Sequence, residues 1–120
     1  MNSNSIHISL SERILYLFSG AALLNSWPVA IGKAETPTPS GRFIVNNKSI
    51  LDGRQIYGTR WIGISKPLYG IHGTNNPNCI GKAVSKGCIR MRNADVESLF
   101  GQITIGTPVY IAANPPLRQA

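Results

Sequence analysis

Along the first half of the chain, apolar side chains either alternate with polar ones or gather in short runs, and no stretch holds a helical period. Ile6, Ile8 and Leu10 alternate with His7 and Ser9, the spacing of a strand with one buried face. Ser11, Glu12 and Arg13 supply a turn, and the β-branched and aromatic run Ile14–Phe18 predicts a second strand closed by Ser19-Gly20. Leu23–Ile31 predicts another extended segment, in which Pro28, lacking an N–H, marks an edge or a bulge. Gly32–Gly41 is a loop on composition, and Thr36-Pro37-Thr38-Pro39-Ser40-Gly41 within it is most simply rigid. Strands are expected at Arg42–Asn46, Arg60–Ser65 and Tyr69–His72, with a turn at Asp52-Gly53. Gly73–Gly87 is a long irregular stretch, of a length that in a compact domain is functional or disordered. Cys88–Met91 reads as extended.

The period changes only after Asn93. Val96, Leu99, Phe100 and Ile103 recur at helical spacing, Asn93 offers an N-cap, and Asp95 and Glu97 place negative charge in the first turns. This predicts one principal helix over about 93–103. Pro108–Ala112 makes a last strand, and the Pro-rich tail 113–120 is expected to fray. About seven short strands and one helix give a mainly β, mostly antiparallel domain.

Length and composition sharpen this picture. The 120 residues make one domain, 1–120, with its core expected over about 6–112. Charged residues are 14%, against about 25% in an average soluble chain, and 42% are hydrophobic, which excludes a disordered tail or a long charged helix. Twelve Gly and eight Pro favour turns and short strands over a helical bundle. The net charge of +7, with a pI near 9.9, suits polyanionic partners. The basic residues are dispersed from Arg13 to Arg118, with no cluster interleaved with aromatics, so nucleic acid is not expected as a partner. Ile14–Ile31 is apolar but broken by Ser19, Gly20, Asn25, Ser26 and Pro28, short of an integral membrane segment. Met1–Leu10 has neither a basic nor a long apolar region, so no signal peptide is visible.

The candidate chemistry lies at the two ends of the irregular stretch. A thiol and an imidazole are the minimal set for nucleophilic acyl transfer. Cys88 sits in Ser85-Lys86-Gly87-Cys88-Ile89-Arg90, where Lys86 and Arg90 at i−2 and i+2 would favour a thiolate. Gly87 would let backbone approach a substrate carbonyl, and nearby N–H groups could form an oxyanion hole. His72 ends the strand before the stretch, with Gly73 after it, so a returning loop could bring thiol and imidazole together. The alternative is that Cys88 is a small buried core residue. A zinc site from His7, His72, Cys79 and Cys88 lacks paired ligand spacing. A phosphate loop around Gly81-Lys82 fails, because Asn76 stands where its first Gly belongs and Ala83 where Ser or Thr belongs. Cys79, between Asn78 and Ile80, has no charged neighbour in sequence and reads as a bystander. Trp61 and Tyr69 read first as core or rim residues.

Tyr69-Gly70-Ile71-His72-Gly73-Thr74 followed by Ser85-Lys86-Gly87-Cys88-Ile89-Arg90-Met91 resembles the signature of the YkuD-type L,D-transpeptidases. Pro28-Val29-Ala30-Ile31-Gly32 and Thr36-Pro37-Thr38-Pro39-Ser40-Gly41-Arg42-Phe43 resemble that family's leading segment, so the similarity runs from about Ile6 to Ile111. The resemblance implies a β-sandwich-like catalytic domain of bacterial cell-wall biogenesis and cell shape, here without an N-terminal LysM module. It implies Cys88 as nucleophile, His72 as general base and the Gly73 carbonyl as the group orienting the imidazole. It implies Arg90, Ser85, Gly87 and Tyr69 as substrate-binding positions. The commonest family string has His where this chain has Lys86.

The implied reaction is attack on the third residue of a peptidoglycan tetrapeptide stem, release of D-alanine, and transfer to a diamino-acid side-chain amine, giving 3→3 cross-links. Water as acceptor would make it an L,D-carboxypeptidase. No cofactor or metal is required, carbapenems are expected as covalent inhibitors, and the location would be extracytoplasmic, at the cell wall or envelope. A catalytically silent cell-wall-binding module is the competing reading, separated by whether Cys88 reacts as an activated thiol.

Overall fold

The computed structural model describes residues 3–116. The alternation at the start of the chain becomes an antiparallel hairpin of β1 (Asn4–Ser9) and β2 (Ile14–Ser19). Their period of two sends Ile6, Ile8, Leu15 and Leu17 into the core, all at 2% exposure or less. β3 (Ala22–Pro28) pairs with the far side of β2 as an edge strand, and Pro28 ends it, where a missing N–H is tolerated.

The sheet continues on the other side of β1. β10 (Pro108–Ala112) runs parallel to β1, so the first strand gains its second partner from the last one. β5 (Gly41–Ile50), β6 (Arg60–Ile64) and β7 (Gly70–His72) follow as antiparallel neighbours, and β9 (Ile89–Arg90) closes the row parallel to β7. The order is β3-β2-β1-β10-β5-β6-β7-β9. A separate parallel pair joins β4 (Ile31–Gly32) to β8 (Ala83–Ser85).

This eight-stranded sheet curls on itself. Ile6 and Leu15 from one end share a hydrophobic cluster with Ile62, Ile71 and Ile89 from the other. Just after β3, Ala30 exchanges backbone hydrogen bonds with Arg90 of β9 at 2.8 and 3.0 Å, which ties the two ends of the sheet together. The helix α1 (Asn93–Phe100) packs Val96 and Leu99 into the same cluster.

Several elements differ from expectation. There are ten strands among the described residues rather than about seven. β4 and β8 hold two and three residues, too few to show a period, and β8 lies inside the stretch 73–87 read as irregular. β5 runs on to Ile50, because β6 supplies a ladder for residues whose own pattern is polar. The helix stops at Phe100, with Gly101 as its C-cap, although Ile103 is buried as predicted. Arg92, not Asn93, occupies the cap position. Of the expected tail 113–120, residues 117–120 lie outside the described residues.

Candidate active site

The hairpin register of β6 and β7 builds one half of the site. It pairs Ile62 with Ile71 and Trp61 with His72. The alternation sends both isoleucines into the core and leaves Trp61 and His72 together on the other face. Their rings stack at 5.7 Å with planes 18° apart, and Tyr57 meets the imidazole edge-on at 5.0 Å. His72 is consequently only 3% exposed. Its Nδ1 lies 2.6 Å from the Gly73 carbonyl oxygen. A carbonyl can only accept, so Nδ1 carries the proton and Nε2 keeps the free lone pair.

The other half is the turn from β8 into β9. Ser85 Oγ donates to the Cys88 carbonyl at 2.6 Å and accepts from the Gly87 N–H at 3.0 Å, which fixes the turn from within. The loop 32–41 fixes it from outside. Thr36 Oγ1 donates to the Ser85 carbonyl at 2.9 Å, and Thr38 Oγ1 donates to the Gly87 carbonyl at 2.8 Å. Thr38 in turn accepts the Gly32 N–H at 2.9 Å. This loop is therefore the brace of the turn as well as a rigid connector. Gly87 has φ +127°, and a Cβ there would strike the ring of Tyr69. Cys88 Sγ lies 3.7 Å from the Leu68 carbonyl oxygen.

Both halves open onto a cavity of about 200 Å³ lined by Ile56, Tyr57, His72, Ser85, Lys86, Cys88 and Arg90. Of the residues singled out in the sequence, Cys88, His72, Ser85, Lys86 and Arg90 meet there. Gly73, Gly87 and Tyr69 stand behind its wall, Gly73 through its carbonyl and Tyr69 through its ring on Gly87. The Gly87 N–H is committed to Ser85, which leaves any oxyanion donors to other N–H groups near Cys88. A larger apolar hollow of about 400 Å³, lined by Ser49, Leu51, Tyr57, Trp61 and Leu68, adjoins it across Tyr57.

Sequence reasoning missed Tyr57 and Ile56, which lie in a connection without periodicity. The packing of Trp61 on His72 was within reach, since the short turn between the two strands fixes their register. Cys79 is buried in the single-turn 3-10 helix Pro77–Cys79, with its Sγ 4.0 Å from Thr74 Oγ1, and does not line the cavity. His7 stands on β1 between Phe18 and Tyr110, and among the described residues no group of three His, Cys, Asp or Glu side chains could hold a metal.

Burial dominates the electrostatics. It pushes the Cys88 thiol above its ordinary pKa, against the opposing effects of the Gly70 backbone and the Arg90 charge. Arg90 thus acts in the expected direction but loses to desolvation. Burial also lowers His72 to about 4; the Gly73 hydrogen bond resists this and the Arg90 charge reinforces it. The pair rests as neutral thiol and neutral imidazole, which can exchange a proton once a substrate arrives.

The depressed imidazole makes stability depend on pH. Between an unfolded value near 6.5 and a folded value of about 4, the unfolded chain binds the extra proton. His72 therefore contributes fully above about pH 6.5, and its contribution of about 3 kcal/mol drains away as the pH falls toward 4. Urea unfolding at pH 7.5 and 4.5 is expected to show this loss, and a His72→Gln variant is expected to lack that part of the slope.

The model of the YkuD L,D-transpeptidase catalytic domain matches residues 3–111. A Bacillus licheniformis protein bearing the name L,D-transpeptidase YkuD is 47% identical over 106 residues, covering 88% of this chain and 64% of that protein. The chain thus spans just under two-thirds of the curated relatives that it matches over most of its length. The NMR structure of the catalytic domain from the E. faecium L,D-transpeptidase has a TM-score of 0.75 at 28% identity, covering 93% of this chain and 98% of that one. The LD transpeptidase LdtMt1 in complex with imipenem has a TM-score of 0.78 at 20% identity, over 92% of this chain and 59% of that one, a likeness of fold.

Proposed function

Because the chain belongs to the YkuD family of L,D-transpeptidase catalytic domains, we propose that it is a cysteine-dependent acyltransferase acting on peptidoglycan stem peptides, with Cys88 as nucleophile and His72 as general base. The observation that carries this reading is the convergence of Cys88 and His72 on one cavity, with the imidazole held by the Gly73 carbonyl. Residues 6–112 form the catalytic unit, and its substrate places it outside the cytoplasm. The +7 charge suits an anionic wall.

In the first half-reaction the Cys88 sulfur forms a bond to the carbonyl carbon of the third stem residue as its proton passes to His72 Nε2. The tetrahedral intermediate collapses, the C–N bond breaks, and D-alanine leaves with the proton from the imidazolium. In the second half, a diamino-acid side-chain amine attacks the thioester and gives a proton to His72. The C–S bond breaks, the thiol regains its proton, and a 3→3 cross-link results. Arg90, on the cavity wall beside His72 in the register of β7 and β9, is suited to a stem carboxylate. Lys86, where the family commonly has His, adds a second cation to that wall.

Incubation with a disaccharide-tetrapeptide and with imipenem tests the proposal. The expected results are release of D-alanine with formation of a cross-linked dimer, and a mass gain of one drug molecule. Release of D-alanine without dimer would assign hydrolysis. Neither product nor adduct would overturn the enzyme reading and leave a wall-binding module.

A further inference from the structure

Asn93 is the first residue of α1, one place beyond the cap position that its residue type predicts and that Arg92 occupies. The carboxamide turns toward β6 and β7 instead. Its Oδ1 accepts from the Thr59 N–H at 3.1 Å and from the Thr74 N–H at 3.2 Å. The Thr74 N–H and the Gly73 carbonyl belong to one planar peptide group, so holding one end orients the other. That carbonyl is the acceptor for His72 Nδ1 at 2.6 Å. A continuous chain of hydrogen bonds therefore runs from the Asn93 carboxamide, through the Gly73–Thr74 peptide, to the imidazole.

The surroundings are shaped to admit this side chain. A Cβ at either Gly58 or Gly73 would collide with Asn93 Oδ1, so two glycines leave room for it. Gly58 has φ +63°, and a Cβ there would also strike the Gly73–Thr74 peptide. Thr59, which holds the other side of the carboxamide, is itself fastened to α1 by a 2.7 Å hydrogen bond from Oγ1 to Glu97 Oε2. A residue diverted from its local role into a fitted pocket beside a catalytic peptide marks a site where local preference has yielded to function. Drawing on the N–H of an amide also polarises its carbonyl, which strengthens the bond that carbonyl accepts.

We infer that Asn93 is a positioning residue for the general base, setting the orientation and basicity of His72 through the Gly73–Thr74 peptide. This rests on the reading of His72 as the base. Asn93 thus plays, one peptide removed, the part that a carboxylate plays in a Ser-His-Asp triad.

The test uses Asn93→Ala, which removes the acceptor, and Asn93→Asp, which keeps the acceptor oxygen and adds charge. His72 is titrated by two-dimensional NMR, and acylation by imipenem is followed in single turnover, both normalised to folded protein. Asn93→Ala is expected to slow acylation about tenfold and to move the His72 titration to lower pH. Asn93→Asp is expected to restore most of the rate and to raise the titration by about one pH unit. Should Asn93→Ala not fold, Asn93→Ser replaces it, since its hydroxyl is too short to span both amides. Wild-type titration and wild-type rate in both variants, with only the melting temperature changed, would reduce Asn93 to a structural fastener and overturn the inference. A wild type that imipenem never acylates would instead undo the proposed function, while the titrations still read the relay.

Discussion

Cys88→Ala is expected to gain no mass on incubation with imipenem, while the wild type and Cys79→Ala each gain one drug molecule. The two thiols differ in setting rather than in residue type. Cys88 is half-buried on the wall of the 200 Å³ cavity that His72 and Arg90 also line. Cys79 is 6% exposed in a single helical turn and faces Thr74. A β-lactam carbonyl can reach the first and not the second without opening the 73–87 segment. Intact-protein mass spectrometry reads the result directly. An adduct that survives Cys88→Ala and is lost in Cys79→Ala would reverse the assignment of the nucleophile.

His72→Ala is expected to slow acylation by about 10²- to 10⁴-fold at pH 7. The size follows from the neutral resting pair. Burial raises the thiol and depresses the imidazole to about 4, so little thiolate is present before substrate binds, and proton removal accompanies attack. The wild-type rate is therefore expected to stay nearly level from about pH 5.5 to 8, since the imidazole is already unprotonated across that range. The variant has only solvent to take the proton, so its rate climbs with pH and the gap narrows. Stopped-flow acylation across pH 5.5–9 measures both. A gap that stays constant with pH would mean that the substitution acts through packing against Trp61 and Tyr57 rather than through the base.

Much of this was legible in the chain, and the exceptions share a cause. β1 was visible from its period of two, and β2, β6 and β7 as short β-branched and aromatic runs bounded by turn residues. The thiol and imidazole were visible because each stands next to glycine at the end of a strand. β4 and β8 were not, because two or three residues hold no period and their pairing joins segments about fifty residues apart. Asn93 was read as a cap because its neighbours along the chain are helical, whereas its partners, Thr59 and Thr74, come from other elements. The charge of Arg90 suggested a thiolate, and only the depth of burial reversed that balance. Each miss lies where tertiary contact outweighs local preference.

The braced turn at 85–88 has a bearing on how the protein is made. Thr38 holds Gly87 across 49 residues, and Ala30 holds Arg90 across the whole interval between them. β1 finds its second neighbour only in β10, near the end of the chain. Contacts so distant in sequence form late and slowly, after much loop entropy has been surrendered. A nascent or partly folded chain that lacks those contacts is expected to lack the brace of the Cys88 turn. Order at this turn is therefore a property of the completed fold rather than of the local segment, and Cys88 acquires its setting late in the making of the chain.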